Sequence, residues 1–107
     1  MPWLFDLAYF FGGAFLTNAA PHLVSGLMGR PFPSPFANPP GQGLSSSTVN
    51  VLWGFANLVV GYLLVAKVGD FDIGALDNAG ALGLGGLLLG LFLARRFGQL
   101  NGGNNPA

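Results

Sequence analysis

From Val49 to Ala66 no residue carries a charge, and the same holds from Ala79 to Ala94. The first of these runs extends to Val68 and is ended by Lys67. The second extends to Phe97 and is ended by Arg95 and Arg96. A third apolar run, from Trp3 to Met28, is interrupted only by Asp6, Pro21 and a few polar side chains. About 20 apolar residues in a helix cross a hydrocarbon core of about 30 Å. Inside lipid every backbone N–H and C=O must be paired within the protein, so such runs are expected to be helices. A membrane barrel needs short segments of alternating polarity, and the run Leu82 to Leu93 does not alternate. Charged residues make up 7% of the chain, against about 25% in an ordinary soluble domain. The expected fold is therefore an all-α membrane protein. It has three transmembrane helices, at about residues 3–28, 49–68 and 75–97, forming one domain over residues 1–97.

Charge placement predicts the orientation, because cytoplasmic loops are enriched in Lys and Arg. Arg30 lies between the first two spans, and Arg95 and Arg96 end the third. Asp6, Asp70, Asp72 and Asp77 lie at the other ends, with Lys67. These facts predict an N-terminus outside and a C-terminus in the cytoplasm. Trp3 and Tyr62 are then expected at the outer interface and Trp53 at the inner one. The opening residues carry no Lys or Arg, unlike the basic start of a signal peptide, so the first span is expected to be retained.

The inner loop, residues 30–48, is rich in proline, which forbids helix and favours a stiff extended strap. Gly41 and Gly43 permit a return, and Phe32 and Phe36 are expected to dip into the interface. Ser47 or Thr48 is expected to cap the second helix. Arg30, Ser46 and Ser47 form a candidate contact for an anionic lipid headgroup. The acids of the outer loop fail the pattern of a helix–loop–helix calcium site, with Gly74 and Ala81 where ligands belong. They are expected to cap the third helix instead. The Gly/Asn-rich tail, residues 98–107, is expected to be disordered.

Asn18 and His22 share a face of the first span with Ala14 and Ser25. Asn50, Gly54, Asn57 and Gly61 share a face of the second, at spacings of four, three and four. Counted inward from the cytoplasmic ends at 1.5 Å per residue, Asn18, His22 and Asn57 reach similar depths. Pro21 frees a carbonyl nearby that needs a donor. Asn18, His22, Asn50 and Asn57 are thus a candidate intramembrane polar cluster. It either ties helices together by hydrogen bonds or, through His22, lines a proton or ion path. Haem or chlorin ligation at His22 is a third reading, resting on one histidine among aromatic side chains. No cofactor or metal is otherwise expected.

The third span reads as a packing helix, with Gly83, Gly86 and Gly90 on small-residue spacing and Gly86 to Gly90 forming GxxxG. Gly54 and Gly61 offer the same thin surface on the second span. No nucleophile–base–orienter set is evident, so no catalytic residue is assigned. Four Lys/Arg residues cannot neutralise a phosphate track, so nucleic acid is excluded as a partner.

The block Pro21-His22-x-x-x-Gly26-x-x-Gly29-Arg30-Pro31-Phe32-Pro33-Ser34-Pro35-Phe36-x-x-Pro39-Pro40-Gly41-x-Gly43-Leu44-Ser45-Ser46, continuing to Asn50-Val-Leu-Trp-Gly54, resembles an uncharacterised family of short bacterial membrane proteins. That resemblance covers roughly the first 60 residues and implies no activity; it supports the membrane architecture and nothing more. The expected location is the bacterial inner membrane. Thr48-Val-Asn50-Val-Leu followed by Gly54 is faintly similar to the pore helix of the small fluoride channels. The chain departs from those channels in having three candidate spans rather than four and a proline-rich inner loop. The expected function is a small non-enzymatic subunit in contact with lipids and with other membrane chains or copies of itself. The alternatives are a homo-oligomeric channel or transporter lined by Asn and His, and a pigment- or haem-binding subunit.

Overall fold

The computed structural model describes residues 2–105. Its elements are α1 (Pro2–Leu27), β1 (Phe32–Pro33), β2 (Leu44–Ser45), α2 (Ser47–Ala66) and α3 (Leu76–Asn101). The chain is all-helical apart from the short ribbon, and α2 and α3 are long and apolar enough to cross a membrane.

Each helix end has a local cause. After α1, Gly29 turns left-handed at φ 72°. Its N–H bonds Gly26 O, and Arg30 N–H bonds Ser25 O. This is the paired Schellman closure that glycine permits, and Pro31 bars any continuation. At the start of α2 the capping hydroxyl is that of Ser46, which accepts from Val49 N at 3.1 Å. Ser47 and Thr48, expected at the cap, are already helical. α3 begins without a side-chain cap at Ala75, with Asp77 in its first turn. Asp72 does not cap it: its carboxylate accepts from Gly74 N at 2.9 Å and shapes the preceding turn.

The expected break at Gly98 is corrected. α3 runs on to Asn101, and Gly102, at φ 75°, stops it. Gly103 N–H reaches Gly98 O at 2.9 Å, and the Asn104 amide reaches Ala94 O. The glycine and asparagine that read as a loose tail act here as a left-handed helix stop. Residues 106 and 107 of the expected tail lie outside the described residues.

The proline-rich loop folds back as an antiparallel ribbon, Phe32 opposite Ser45 and Pro33 opposite Leu44. Ser34 and Ser45 share a buried hydroxyl–hydroxyl bond of 2.6 Å, and Gly41 N–H bonds Ser34 O at 2.8 Å. Gly41 takes a positive φ of 72° at the turn.

α1 lies in the middle. It packs against α2 on one side and α3 on the other, while α2 and α3 make no extended contact with each other. Glycines set both seams. Leu16 and Leu23 of α1 sit over Gly61 and Gly54 of α2, and Gly12 and Gly26 of α1 receive Val65 and Val51 of α2. On the other side, a Cβ at Gly85 would overlap the Phe10 carbonyl oxygen, and one at Gly13 would overlap the Leu82 carbonyl. Thr17 lies over Gly86 and Gly90. The GxxxG pair therefore faces a helix of its own chain. Gly83 has nothing within 4 Å of the position a Cβ would take, so it belongs to neither seam.

Candidate functional site: a polar layer and an open groove

The four residues that α2 buries are Asn50, Gly54, Asn57 and Gly61, the face grouped by their spacing. The two asparagines meet α1 as separate pairs. Asn18 Nδ2 donates to Asn57 Oδ1 at 2.9 Å, and Asn57 Nδ2 donates to the Trp53 carbonyl at 2.8 Å. One to two turns nearer the ribbon, His22 Nδ1 lies 2.7 Å from Asn50 Oδ1. His22, Asn50 and Asn57 are all buried.

The hydrogen-bond pattern around Asn50 settles the histidine tautomer. Asn50 Nδ2 donates toward three carbonyls, those of Phe32, Ser46 and Ser45, at 2.9, 3.0 and 3.2 Å. An amide nitrogen surrounded by acceptors leaves its oxygen facing the ring. That oxygen can only accept, so His22 Nδ1 carries the proton, and in the neutral ring Nε2 holds the lone pair. The ring stands edge-on to Phe32 at 5.6 Å and to Trp53 at 6.4 Å. Asn50 thereby joins three elements: α1 through His22, α2 through its own backbone, and the ribbon through Phe32.

Because α2 and α3 do not close on each other, a groove remains between them, floored by α1. At the ribbon end is a cavity of about 170 Å³ lined by Asn18, His22, Ser34, Trp53, Phe92 and Arg96 among others. Beside it, sharing Asn18 and Trp53, is a more apolar hollow of about 320 Å³ walled by Phe11, Ala14, Phe15 and Leu89. Trp53 is half-buried, stacked edge-on by Phe36 at 5.2 Å. Its Nε1 is the one buried side-chain nitrogen or oxygen without a hydrogen-bond partner among the described residues.

Arg96 Nη2 donates to Gly41 O at 3.2 Å and so ties α3 to the ribbon. At the other end of the bundle the Asn78 amide bridges Asp6 of α1, at 3.0 Å, and Asp77, at 3.2 Å. Of the grouping Arg30, Ser46 and Ser47, the Ser46 hydroxyl accepts the cap hydrogen bond from Val49 N–H, and Arg30 is exposed just past the end of α1. The packing set assigned from sequence left out Gly85, the one residue α3 buries among the described residues, and gave Arg96 no role beyond ending the third span. Gly85 lies one residue off the small-residue stripe. The signal available for Arg96 was the long reach from the end of α3 to a glycine turn that exposes its carbonyl.

A ring nitrogen oriented by a carbonyl-type acceptor on its other side is the arrangement metal-binding histidines use. No second His, and no Met, Cys or Tyr, among the described residues lines the cavity beside His22. Among the described residues no group of three or more His, Cys, Asp or Glu side chains is placed to hold a metal ion. No protein-family model matches the chain, and no curated protein or solved structure matches it.

Proposed function

We propose that this chain is a small non-enzymatic integral membrane protein. α1, α2 and α3 all cross the bilayer, with the N-terminus outside and the C-terminus in the cytoplasm, and the bundle serves as a subunit among other membrane chains. One observation carries the reading: the polarity of the bundle is inverted. Its buried side chains include His22, Ser34, Ser45, Asn50 and Asn57, while Leu52, Phe55, Val59, Leu84, Leu87, Leu91 and Phe92 are exposed. Contiguous exposed apolar surface on that scale is not tolerated by a monomer in water, whereas lipid tails solvate it at no cost. The pairs Asn18–Asn57 and His22–Asn50 favour hydrogen bonding between helices over a water-filled path, because the buried amides of Asn50 and Asn57 are bonded through both oxygen and nitrogen.

The chain has no cysteine, so single cysteines report topology cleanly. Asp72→Cys is expected to react with a membrane-impermeant thiol reagent in intact cells, and Asn105→Cys only after lysis. The reverse pattern removes the orientation, and release of the protein by alkaline washing removes the membrane reading altogether. Native mass spectrometry after gentle detergent extraction tests the subunit role. Self-association or a co-purifying chain is expected, and a strictly monomeric, partner-free species overturns it.

A further inference from the structure

We infer that the ribbon end of the groove between α2 and α3 binds an anionic phospholipid, its phosphate on Arg96 and one acyl chain lying on α1. The inference rests on the orientation proposed above, which puts Arg96 at the inner leaflet.

The site has the polarity of an amphiphile. The cavity of about 170 Å³ is edged by the Arg96 guanidinium and Ser34. The adjoining hollow of about 320 Å³ is walled by Phe11, Ala14, Phe15 and Leu89. Asn18 and Trp53 belong to both. A headgroup at one end and a chain in the other match this sequence of surfaces. Basic pockets between membrane helices on the cytoplasmic side are where anionic headgroups bind.

Charge supplies the second argument. Arg96 is half-buried and its one hydrogen bond goes to a neutral carbonyl, Gly41 O. All four acidic residues, Asp6, Asp70, Asp72 and Asp77, lie on the opposite side of the bundle in the orientation proposed. A guanidinium has five N–H donors in a planar fork that fits a phosphate in bidentate fashion. Gly41 uses one and holds the fork in place at the cavity edge. Trp53, whose buried N–H has no hydrogen-bond partner among the described residues, contributes to the wall both cavities share.

The same features disfavour a helix as occupant. A helix is about 10 Å across with its side chains, and seating one here would strip water from Arg96 without bringing a counter-charge. An acyl chain is narrow enough for the hollow, and its phosphate brings the missing charge.

The test uses the full chain with Trp3→Phe, so that Trp53 is the sole indole, delipidated and reconstituted in vesicles of dioleoyl phosphatidylcholine and dioleoyl phosphatidylglycerol. Brominated acyl chains, placed on one lipid class at a time, quench an indole they touch. Brominated phosphatidylglycerol is expected to quench Trp53 with about fivefold preference over brominated phosphatidylcholine, the ratio that ~1 kcal/mol per basic side chain implies. Arg96→Gln should bring the ratio to unity, while Arg95→Gln, on an exposed side chain, should leave it. Ala14→Phe, filling the hollow, should weaken quenching by both lipids. Equal quenching in the parent protein overturns the proposal without recourse to any variant. So does a preference that survives Arg96→Gln, or one that Arg95→Gln lowers equally. Protein that fails to float with the vesicles overturns the membrane reading and this site together; protein that floats and shows no preference overturns the site alone.

Discussion

Asn50→Leu removes the side chain that joins the most elements while keeping its approximate size. Asn50 has no exposed surface. Without its amide, the proton on His22 Nδ1 loses its acceptor, and the Phe32 carbonyl loses a donor at 2.9 Å. The Ser46 carbonyl is less affected, because it still accepts from the Asn50 backbone N–H at 3.0 Å. Leaving a buried polar group unpaired costs about 1–3 kcal/mol. Interhelical bonds in membranes average only about 0.6 kcal/mol and reach about 1.7, because the unfolded chain also finds partners in lipid. One fully orphaned donor and one under-satisfied carbonyl therefore place the expected loss at about 2 kcal/mol. Denaturation of the purified protein by increasing mole fraction of SDS in mild detergent, followed by far-ultraviolet circular dichroism, measures it. Asn50→Asp sharpens the test. It can still accept from His22, but it turns a carboxylate oxygen toward three carbonyls, so it should destabilise at least as much as leucine does. If Asn50→Leu stays within ~0.5 kcal/mol of the parent, the range of an inconsequential surface change, the reasoning fails. It fails equally if Asn50→Asp behaves like the parent, since only the His22 contact would then matter. Nitrogen-15 shifts of His22 check the tautomer directly: a pyrrole-like Nδ1 and a pyridine-like Nε2 are expected in the neutral ring, and the opposite assignment refutes it.

The two glycine environments on α3 predict opposite outcomes in the same SDS titration. Gly85→Ala meets the Phe10 backbone and should cost upwards of the ~1–3 kcal/mol typical of overpacking; Gly83→Ala meets nothing within 4 Å and should be neutral or gain up to ~1 kcal/mol of helix propensity. Equal effects would mean that the α1–α3 seam is drawn wrongly. A double-mutant cycle with Asn18→Leu and Asn57→Leu should give a coupling of about 0.6–1.7 kcal/mol, and a value near zero would show that the 2.9 Å bond contributes nothing. Ser34→Ala, which cuts the 2.6 Å bond to Ser45 and the bond to Phe36 N, should speed proteolysis and amide exchange in residues 34–43 and leave α2 and α3 protected; unchanged exchange in the loop would count against the ribbon as described.

The helices and the buried face of α2 were legible because spacing states them directly: Asn50, Gly54, Asn57 and Gly61 recur at helical intervals. That Asn18 and His22 would find amides on α2 followed from depth counting along antiparallel helices. Which amide each would take did not follow, because a pairing depends on side-chain direction, and a rise per residue does not encode that. Ser46 won the cap over Ser47 and Thr48 because three hydroxyls in a row offer the same chemistry and the backbone of the ribbon decides among them. The ribbon itself was hidden by the prolines. They signalled extended chain, but the pairing of Phe32 with Ser45 needed the Ser34–Ser45 bond that only the folded loop brings together. Gly85 stayed outside the packing set because a stripe at three and four residues runs through Gly83, Gly86 and Gly90. The seam actually follows Gly85, Gly86 and Gly90, adjacent rows on a helix that crosses α1 at an angle.

The central place of α1 explains why its sequence looks the least like a membrane span. A helix with partners on two sides must have close-approach positions on both, and α1 has them: Gly12 and Gly26 toward α2, Gly13 and Thr17 toward α3. It also carries the polar residues the seams use: Asp6 at one end, and Asn18 and His22 toward the other. Each lowers its mean hydropathy, and each is paired with α2 or α3 rather than with the surroundings. α2 and α3, each packed on one side only, keep the outward rows of Leu, Val and Phe that make them easy to recognise. The division also accounts for the groove. The two outer helices spend Gly54, Gly61, Gly85 and Gly86 on their seams with the middle one, and the space between them over Ala14 and Asn18 stays open. Among the described residues the one charged side chain along its walls is Arg96, held at its edge by the Gly41 carbonyl.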